Sequence, residues 1–472
     1  MSRARHAGAG RRVQTSQDSL RATAGWVVDR TLASLAPADT YLAGAVARFE
    51  PRDRGLLVEL AMGTLRWLRR LDAVIAQASD RGLQGIDPAL LTPLRIAVYQ
   101  LLFLERVPAH AAVNEAVDEA RRRTHRGGAS FVNAVLRRIA RSPRLEDWPV
   151  REQDPLRRLA VETSHPDFLV ARWLERFGEP RTRALLQANN RPRPLHLLAF
   201  RDRGGRELLA ESLIDAGVEV DPSGLAPLGL VVRSGDPFET EAFRRGDFYV
   251  QDEASQAAAI IPPPRPGEWV LDAAAAPGGK TFALLASEPG IRPVLADVDP
   301  ARMRTLRRNL DRLGRPLPLA VADGAWPPWS RTFDRVVVDL PCTGTGTLRN
   351  HPELKWRISE DEIGRLSRQA LAMLEGAASA VGEMGWLIAI TCSLEAEENE
   401  DVVAALLARR DDFELAELAG LVPPPLDRSI RGPGLWRILP AGDHDGFTLH
   451  ALRRRRGGEG PRKRGVIGAS FS

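Results

Sequence analysis

The chain has 472 residues, 44% hydrophobic and 27% charged, and its 66 Lys plus Arg against 61 Asp plus Glu leave a formal net charge of +5. This length predicts two or three globular domains, and the positive balance fits an anionic partner. No apolar run approaches the ~20 residues of a membrane span, and the opening MSRARHAGAGRRVQTSQDS lacks the apolar core of a secretory signal, so no membrane partner is expected and a cytoplasmic location follows.

Residues 1–16 read as a basic disordered tail. From 17 to 142 the pattern predicts an all-α domain. Leu57, Leu60, Ala61, Leu65, Leu68, Leu71 and Ile75 recur at spacings of three and four, which is one apolar helix face. Further helices are expected over Leu94–Glu105, over Ala109–Arg123 after the break at Pro108, and over Ala129–Arg141 after Gly127 and Gly128. Arg121 to Arg123 with Arg126, and Arg137 with Arg138, offer a basic surface for RNA, although such a run serves equally as a solvated helix face.

From 143 to 235 the composition shifts. The linker RSPRLEDWP leads to a helix over His165–Gly178, a strand within LHLLAF (Leu195–Phe200), and a helix running into another strand over Gly204–Val220. This reads as a small α/β subdomain, with Arg191, Arg193, Arg201 and Arg203 near one edge as a platform for RNA docking. From 236 to 454 strands and helices alternate, the signature of a doubly wound α/β sheet. Strands are expected at Val270–Leu271, Val294–Asp299, Leu319–Gly324, Phe333–Pro341, Gly385–Ser393 and Gly446–Arg454. Residues 455–472 form a second basic, low-complexity tail.

The stretch WVLDAAAAPGGKT (Trp269–Thr281) reads as strand, small-residue turn and helix start. Ala274, Ala275, Ala276, Pro277, Gly278, Gly279 and Lys280 would let a ligand approach the backbone at a helix N-terminus. The stretch lacks the spacing of a P-loop or a G-x-G-x-x-G turn, and alone it is as easily structural as functional. Acids and thiols at the following strand ends give it meaning, because ligands of open α/β sheets bind there. Asp297 ends the second strand, where a carboxylate meets ribose hydroxyls. Asp299 suits a helix N-cap better. Asp323 ends the third strand within reach of an adenine, Asp339 and Cys342 end the fourth, and Cys392 ends the fifth.

Cys342 and Cys392 are the only cysteines. Two thiols make a poor metal site, and no metal is expected. Beside a nucleoside cofactor they fit a particular reaction. Carbon 5 of a pyrimidine is a poor nucleophile until a thiolate adds at carbon 6 and turns the ring into an enamine. One thiol would be the covalent nucleophile and another group would move the proton, and spacing does not choose between the two thiols. Asp339 suits a hydrogen bond to N3 of the base. A thiolate needs positive surroundings. Only Lys280, Lys355 and Lys463 are lysines in this arginine-using chain, so Lys280 and Lys355 are the candidates to supply them.

The motifs APGGKT, ADVD, ADG, DLPCTGTG, LRNHPELKW and TCSLEAEEN, in that order, resemble the RNA cytosine-C5 methyltransferases. VPAHAAVNEAV followed by FVNAVLRR is similar to the NusB family, and a NusB-like front end with HPELKW points to the RsmB/Sun/Fmu type. The resemblance runs from about residue 20 to 452. It implies an all-α NusB-like domain, a small α/β subdomain and a Rossmann-like domain that binds S-adenosylmethionine. It implies that the cofactor is held by Ala274 to Lys280 with Asp297, Asp323 and Asp339. It makes Cys392 the nucleophile and gives Cys342 a part in product release. It further implies small-subunit ribosomal RNA as partner, modified at a cytosine of the 967 type. A transfer-RNA target, or a non-catalytic RNA-binding or antitermination factor, are the competing readings. The chain departs from the family in LHLLAF, where an L-R-V-N-like run is usual, and in its Arg-rich tail.

Overall fold

The structure is a computed structural model that describes residues 19–34, 36–124 and 126–457. The two expected basic tails lie almost wholly outside these residues. The chain forms two compact units, one of residues up to Gly178 together with His351–Trp356, the other of Glu179–Asn350 and the residues from Arg357 onward. Among the described residues no helix is long and apolar enough to cross a membrane.

The first unit is helical. Its helices include Leu20–Ala33, Pro51–Ala78, Pro88–Phe103, Ala109–Arg123 and Arg126–Ala140. The long helix begins on Pro51, whose fixed φ suits a first helical position. Its predicted apolar face is the face that is buried: Leu57, Leu60, Ala61, Leu65, Leu71 and Ile75 have no exposed surface. Each such large aliphatic side chain contributes roughly 1.5–3 kcal/mol on burial. The unit continues past residue 142, the expected boundary, through helices Pro155–Glu162 and Asp167–Phe177. It also takes up the short 3-10 turn Pro352–Trp356. There the Trp356 indole donates to the Leu65 carbonyl at 2.8 Å, and Lys355 Nζ donates to the carbonyls of Arg66 and Ser164, both at 3.2 Å. The arginines read as an RNA surface are partly spent on local pairs: Arg121 with Asp118, Arg122 with Glu119, and Arg123 with Glu119 and Asp29.

The second unit holds two sheets. The small one is built from β1 (His196–Ala199), β2 (Glu219–Pro222), β3 (Gly229–Ser234) and β4 (Phe248–Val250), in the order β2-β3-β1-β4 and antiparallel throughout. With helices Gly205–Asp215 and Glu241–Arg245 in the two crossings, its order is β-α-β-β-α-β, the ferredoxin-like arrangement. β4 carries this sheet past residue 235, where the sequence placed its end. Arg193, read as an edge arginine, is instead half-buried against Asp252 at 3.0 Å and Asp445 at 3.7 Å.

The large sheet contains β5 (Trp269–Asp272), β6 (Arg292–Asp297), β7 (Leu319–Val321), β8 (Phe333–Asp339), β9 (Val381–Thr391), β10 (Phe413–Leu415), β11 (Ile430–Gly432), β12 (Leu435–Ile438) and β13 (Phe447–Arg454). The order is β11-β12-β13-β9-β8-β5-β6-β7, with β10 paired to β13. β5 to β9 run parallel, and β13 pairs antiparallel with β9. Side chains alternate between two covered faces. Leu271, Val336, Val338 and Leu387 pack with helix Glu360–Ser379, whereas Val270, Val337, Ile388 and Ile390 pack with helix Gly279–Ser287. Burial on both faces is why these strands read as near-continuous apolar runs. From β5 the chain winds outward through β6 and β7 on one side, and through β8 and β9 on the other. The carboxyl ends of β5 and β8 therefore flank the switch point, where such sheets bind ligands.

Candidate active site

The turn after β5 lies at that switch point. Ala273 N donates to Val337 O at 2.9 Å and Ala275 N to Ala296 O at 2.8 Å, so the small-residue run is tied to both neighbouring strands. Gly278 has φ +119°, and a Cβ there would lie 2.2 Å from the Phe282 ring. Only glycine fits both conditions. Helix Gly279–Ser287 starts immediately after it. Asp272, at the end of β5, has no exposed surface. Its Oδ2 accepts from Thr281 Oγ1 at 2.7 Å, while its buried Oδ1 has no partner among the described residues. Burial pushes its pKa up to about 6, with Asp339 adding to the rise and Thr281 and Lys280 opposing it.

Asp297 is buried at the end of β6. Its Oδ2 accepts from Ala276 N at 3.2 Å and its Oδ1 from Asp299 N at 3.0 Å, so this carboxylate is oriented by the cradle turn. Asp299 caps helix Pro300–Leu313 through Ala301 N at 2.7 Å, the role its position suggested. Asp323 is exposed and lies two residues beyond β7, not in the strand as expected. β7 is the short edge strand of the sheet, and the chain has already turned by Asp323, whose Oδ1 accepts from Ala325 N at 2.9 Å. Ala322 N donates to Asp297 O at 3.2 Å, which brings the Asp297 and Asp323 segments side by side.

Asp339 ends β8, and its Oδ2 accepts from Lys280 Nζ at 3.0 Å. Burial works against the Lys280 charge, but Asp339, Cys392 and Asp272 outweigh it and raise the ammonium pKa. The Lys280 Nζ also stands 5.2 Å from the centre of the Phe447 ring. Cys342 follows three residues after Asp339, and Cys392 directly follows β9. Their sulfur atoms are 3.6 Å apart. The hydrogen bond to Cys392 and burial push the Cys342 thiol well up, and the nearby Glu398 and Asp339 carboxylates push in the same direction.

The two cysteine loops are laced together. Leu340 N donates to Ile390 O and Gly346 N to Cys392 O, each at 2.8 Å. Leu394 N donates to Thr345 Oγ1 at 2.8 Å. Glu398 accepts from Thr343 N at 2.8 Å and from Thr343 Oγ1 at 2.7 Å. It has no exposed surface, and burial pushes its pKa up to about 7. Sequence reasoning passed over both Asp272 and Glu398. The strand-end rule that selected Asp297 applies to Asp272 as well. Lys355, by contrast, belongs to the helical unit. Its Nζ is bound by carbonyls of that unit, and burial together with Arg66 drives its pKa well down.

A doubly wound sheet, a small-residue turn at its switch point, oriented carboxylates at the next strand ends and a facing thiol pair define a methyltransferase domain, here preceded by a helical domain and a ferredoxin-like subdomain. Three families match in that order: the NusB family over residues 27–141, the ferredoxin-like domain of RsmF/B-like methyltransferases over 165–239, and 16S rRNA methyltransferase RsmB/F over 259–453. The probable ribosomal RNA small subunit methyltransferase B of Bacillus subtilis is 33% identical over 417 residues, covering 86% of this chain and 91% of that protein. The ribosomal RNA small subunit methyltransferase B of Pseudomonas syringae pv. tomato is 34% identical, covering 91% and 96%. Among solved structures, PH0851 superposes with a TM-score of 0.76 at 27% identity, covering 92% of this chain and 99% of that one. A methyltransferase homolog from Pyrococcus horikoshii gives 0.53 at 25% identity, covering 64% and 99%. The chain belongs to the RsmB-type ribosomal RNA small-subunit methyltransferases.

Proposed function

We propose that the protein methylates carbon 5 of a cytosine in 16S ribosomal RNA, of the position-967 type, using S-adenosylmethionine and a covalent Cys392 adduct. The observation that carries this reading is the thiol pair: two sulfurs 3.6 Å apart at adjacent strand ends, beside an ammonium–carboxylate pair. When bound, S-adenosylmethionine supplies an electrophilic methyl group. The chain's residues fit that cofactor. The turn Ala274–Ala276 has little side-chain bulk, Asp272 Oδ1 is a buried acceptor with no close hydrogen-bond donor among the described residues, and Asp297 is oriented by the turn itself. Asp323 and Asp339 complete the cradle.

Cys392 faces Lys280, whose ammonium favours a thiolate there. The Cys392 sulfur adds to carbon 6 of an unstacked cytosine, forming the C–S bond. Asp339, oriented by Lys280, acts here as the acid: it donates its proton to N3 as the C–S bond forms, and N3 takes up the electron pair displaced into the ring. After methylation the carbon-5 proton leaves to a base, the ring double bond re-forms, and the C–S bond breaks with its electron pair returning to Cys392. Cys342 is the group placed beside that sulfur to assist this release. Cys392→Ala is expected to abolish methyl transfer without unfolding the protein, and Cys342→Ala to accumulate an RNA–protein adduct that survives denaturing electrophoresis. Full activity in Cys392→Ala would sink the mechanism. Bisulfite sequencing of ribosomal and transfer RNA from a deletion strain identifies the target. Loss of a transfer-RNA methylcytosine with an unchanged 16S profile would overturn the ribosomal assignment.

A further inference from the structure

Glu398 stands apart from the acids around it. Of the four carboxylates in EAEEN and the residue after it, Glu395 and Glu398 are buried while Glu397 and Glu400 are partly open. Glu398 accepts twice from Thr343, through its backbone N–H and its hydroxyl, and is also hydrogen-bonded by Ser393 of its own loop. Thr343 is the residue after Cys342. Glu398 itself lies six residues after Cys392, in a turn that Asn399 fastens. Asn399 accepts from Thr391 Oγ1 at 2.6 Å and donates to Glu395 O at 2.7 Å. One side chain thus links the Cys342 loop to the Cys392 loop. A tie of this kind needs only a hydrogen-bonding side chain. An ionisable one is costly in a sealed position, because burial disfavours its charge. The charge therefore has a consequence to look for, and Cys342 is the titratable group beside it.

The groups around the pair are arranged asymmetrically. Cys342 meets Glu398 from the Cys392 loop and Asp339 from the end of β8. Cys392 is coupled to Lys280 on helix Gly279–Ser287. Glu398 itself is faced by Thr343 and Cys342 from the loop after β8, and by Ser393 and Glu395 from its own turn. Negative charge lies on the Cys342 side and positive charge on the Cys392 side.

We propose that Glu398 is a positioning residue for the thiol pair: it fixes the Cys342 loop through Thr343, and its carboxylate keeps the pair's shared proton on Cys342, leaving Cys392 as the thiolate. This deepens the proposed cysteine chemistry and rests on it for its catalytic consequence, while the proton placement is measurable without RNA. Only a proton moves, between two sulfurs already in contact, so no further reactant is needed.

The test is alkylation of the full-length protein with iodoacetamide, with the two cysteines resolved by peptide mass spectrometry across pH 6 to 9. In the wild type, alkylation favours Cys392, and the preference grows as pH rises through about 7, where Glu398 ionises. Glu398→Gln keeps the shape and loses the charge. Its preference for Cys392 is expected to fall about tenfold, the equivalent of one unit of thiol pKa, and to become flat across that interval. Glu398→Asp, which restores the charge, recovers most of the preference and its pH dependence. Thermal melting shows that both variants are folded. Wild-type preference in Glu398→Gln overturns the inference, and so does an equal loss in Glu398→Asp. The cysteine mechanism stands or falls separately, on methyl transfer by Cys392→Ala.

Discussion

Gly346→Ala would put a methyl group where the two cysteine loops and the turn before β13 converge. The added Cβ would lie 2.4 Å from Gly446 O and 2.9 Å from Cys392 O. Against an ordinary carbon–oxygen contact of about 3.4 Å, the shortfalls are about 1.0 and 0.5 Å. Both neighbours are backbone atoms, so no side-chain rotation relieves them. Both are also held, since Gly346 N donates to Cys392 O and Gly446 N donates to Gly346 O, each at 2.8 Å. The Cys392 loop must therefore move. Overpacking of this kind costs about 1–3 kcal/mol. Displacing a catalytic group by about 1 Å costs about a hundredfold in rate. Single-turnover transfer of a radiolabelled methyl group to 16S ribosomal RNA reads the second effect, and denaturant unfolding reads the first. Activity within about twofold of wild type, with an unchanged unfolding midpoint, would refute the claim that close loop contact sets the sulfur geometry.

Two further substitutions probe the electrostatics. Lys280→Met removes the ammonium beside Asp339 and Cys392. Methyl transfer should fall by about tenfold or more at neutral pH and recover in part as pH is raised, because each unit of thiol pKa is a factor of ten in thiolate; an unshifted pH–rate profile would contradict the role given to Lys280. Asp272→Asn tests the buried carboxyl at the end of β5. Its folded pKa of about 6 lies above its ordinary value of 3.8, so the folded state holds the proton more tightly than the unfolded chain. Its favourable contribution is present below about pH 4 and is lost as pH rises through about 6. Relative to Asp272→Asn, the cofactor-free wild type should lose on the order of 3 kcal/mol across that window. Urea titrations of both proteins at pH 4 and pH 7 measure it, and a pH-independent difference would exclude a buried, raised Asp272.

What the sequence disclosed follows physical lines. β5, β8 and β9 were legible because their residues are apolar on both faces, as in Val336 to Val338 and Leu387 to Ile390. The end of each central strand then located Asp297, Asp339, Cys342 and Cys392. β7 is an edge strand with Val321 61% exposed, and with one face open its end carries no apolar signal, which is why Asp323 was assigned to it. β11 and β12 are three and four residues long, too short for any period to show. Arg193 looks like any surface arginine until Asp252 and Asp445, far along the chain, are brought to it. The scarcity of lysine drew notice to Lys280 and Lys355 alike, yet composition cannot say which one folds against a thiol. Glu398 was hidden among Glu395, Glu397 and Glu400, since burial of one acid in a run depends on packing alone.

The helical unit is discontinuous in the chain, and this bears on how it is made. Its last piece, Pro352–Trp356, is translated 178 residues after Gly178. At ~5–20 residues per second a ribosome takes roughly 10–35 s to deliver it. Throughout that interval the unit lacks the bonds that Lys355 and Trp356 add to the carbonyls of Leu65, Arg66 and Ser164. The first domain to emerge is thus among the last to be finished. A fragment ending at residue 178 would represent the unit as it stands before that last piece is added.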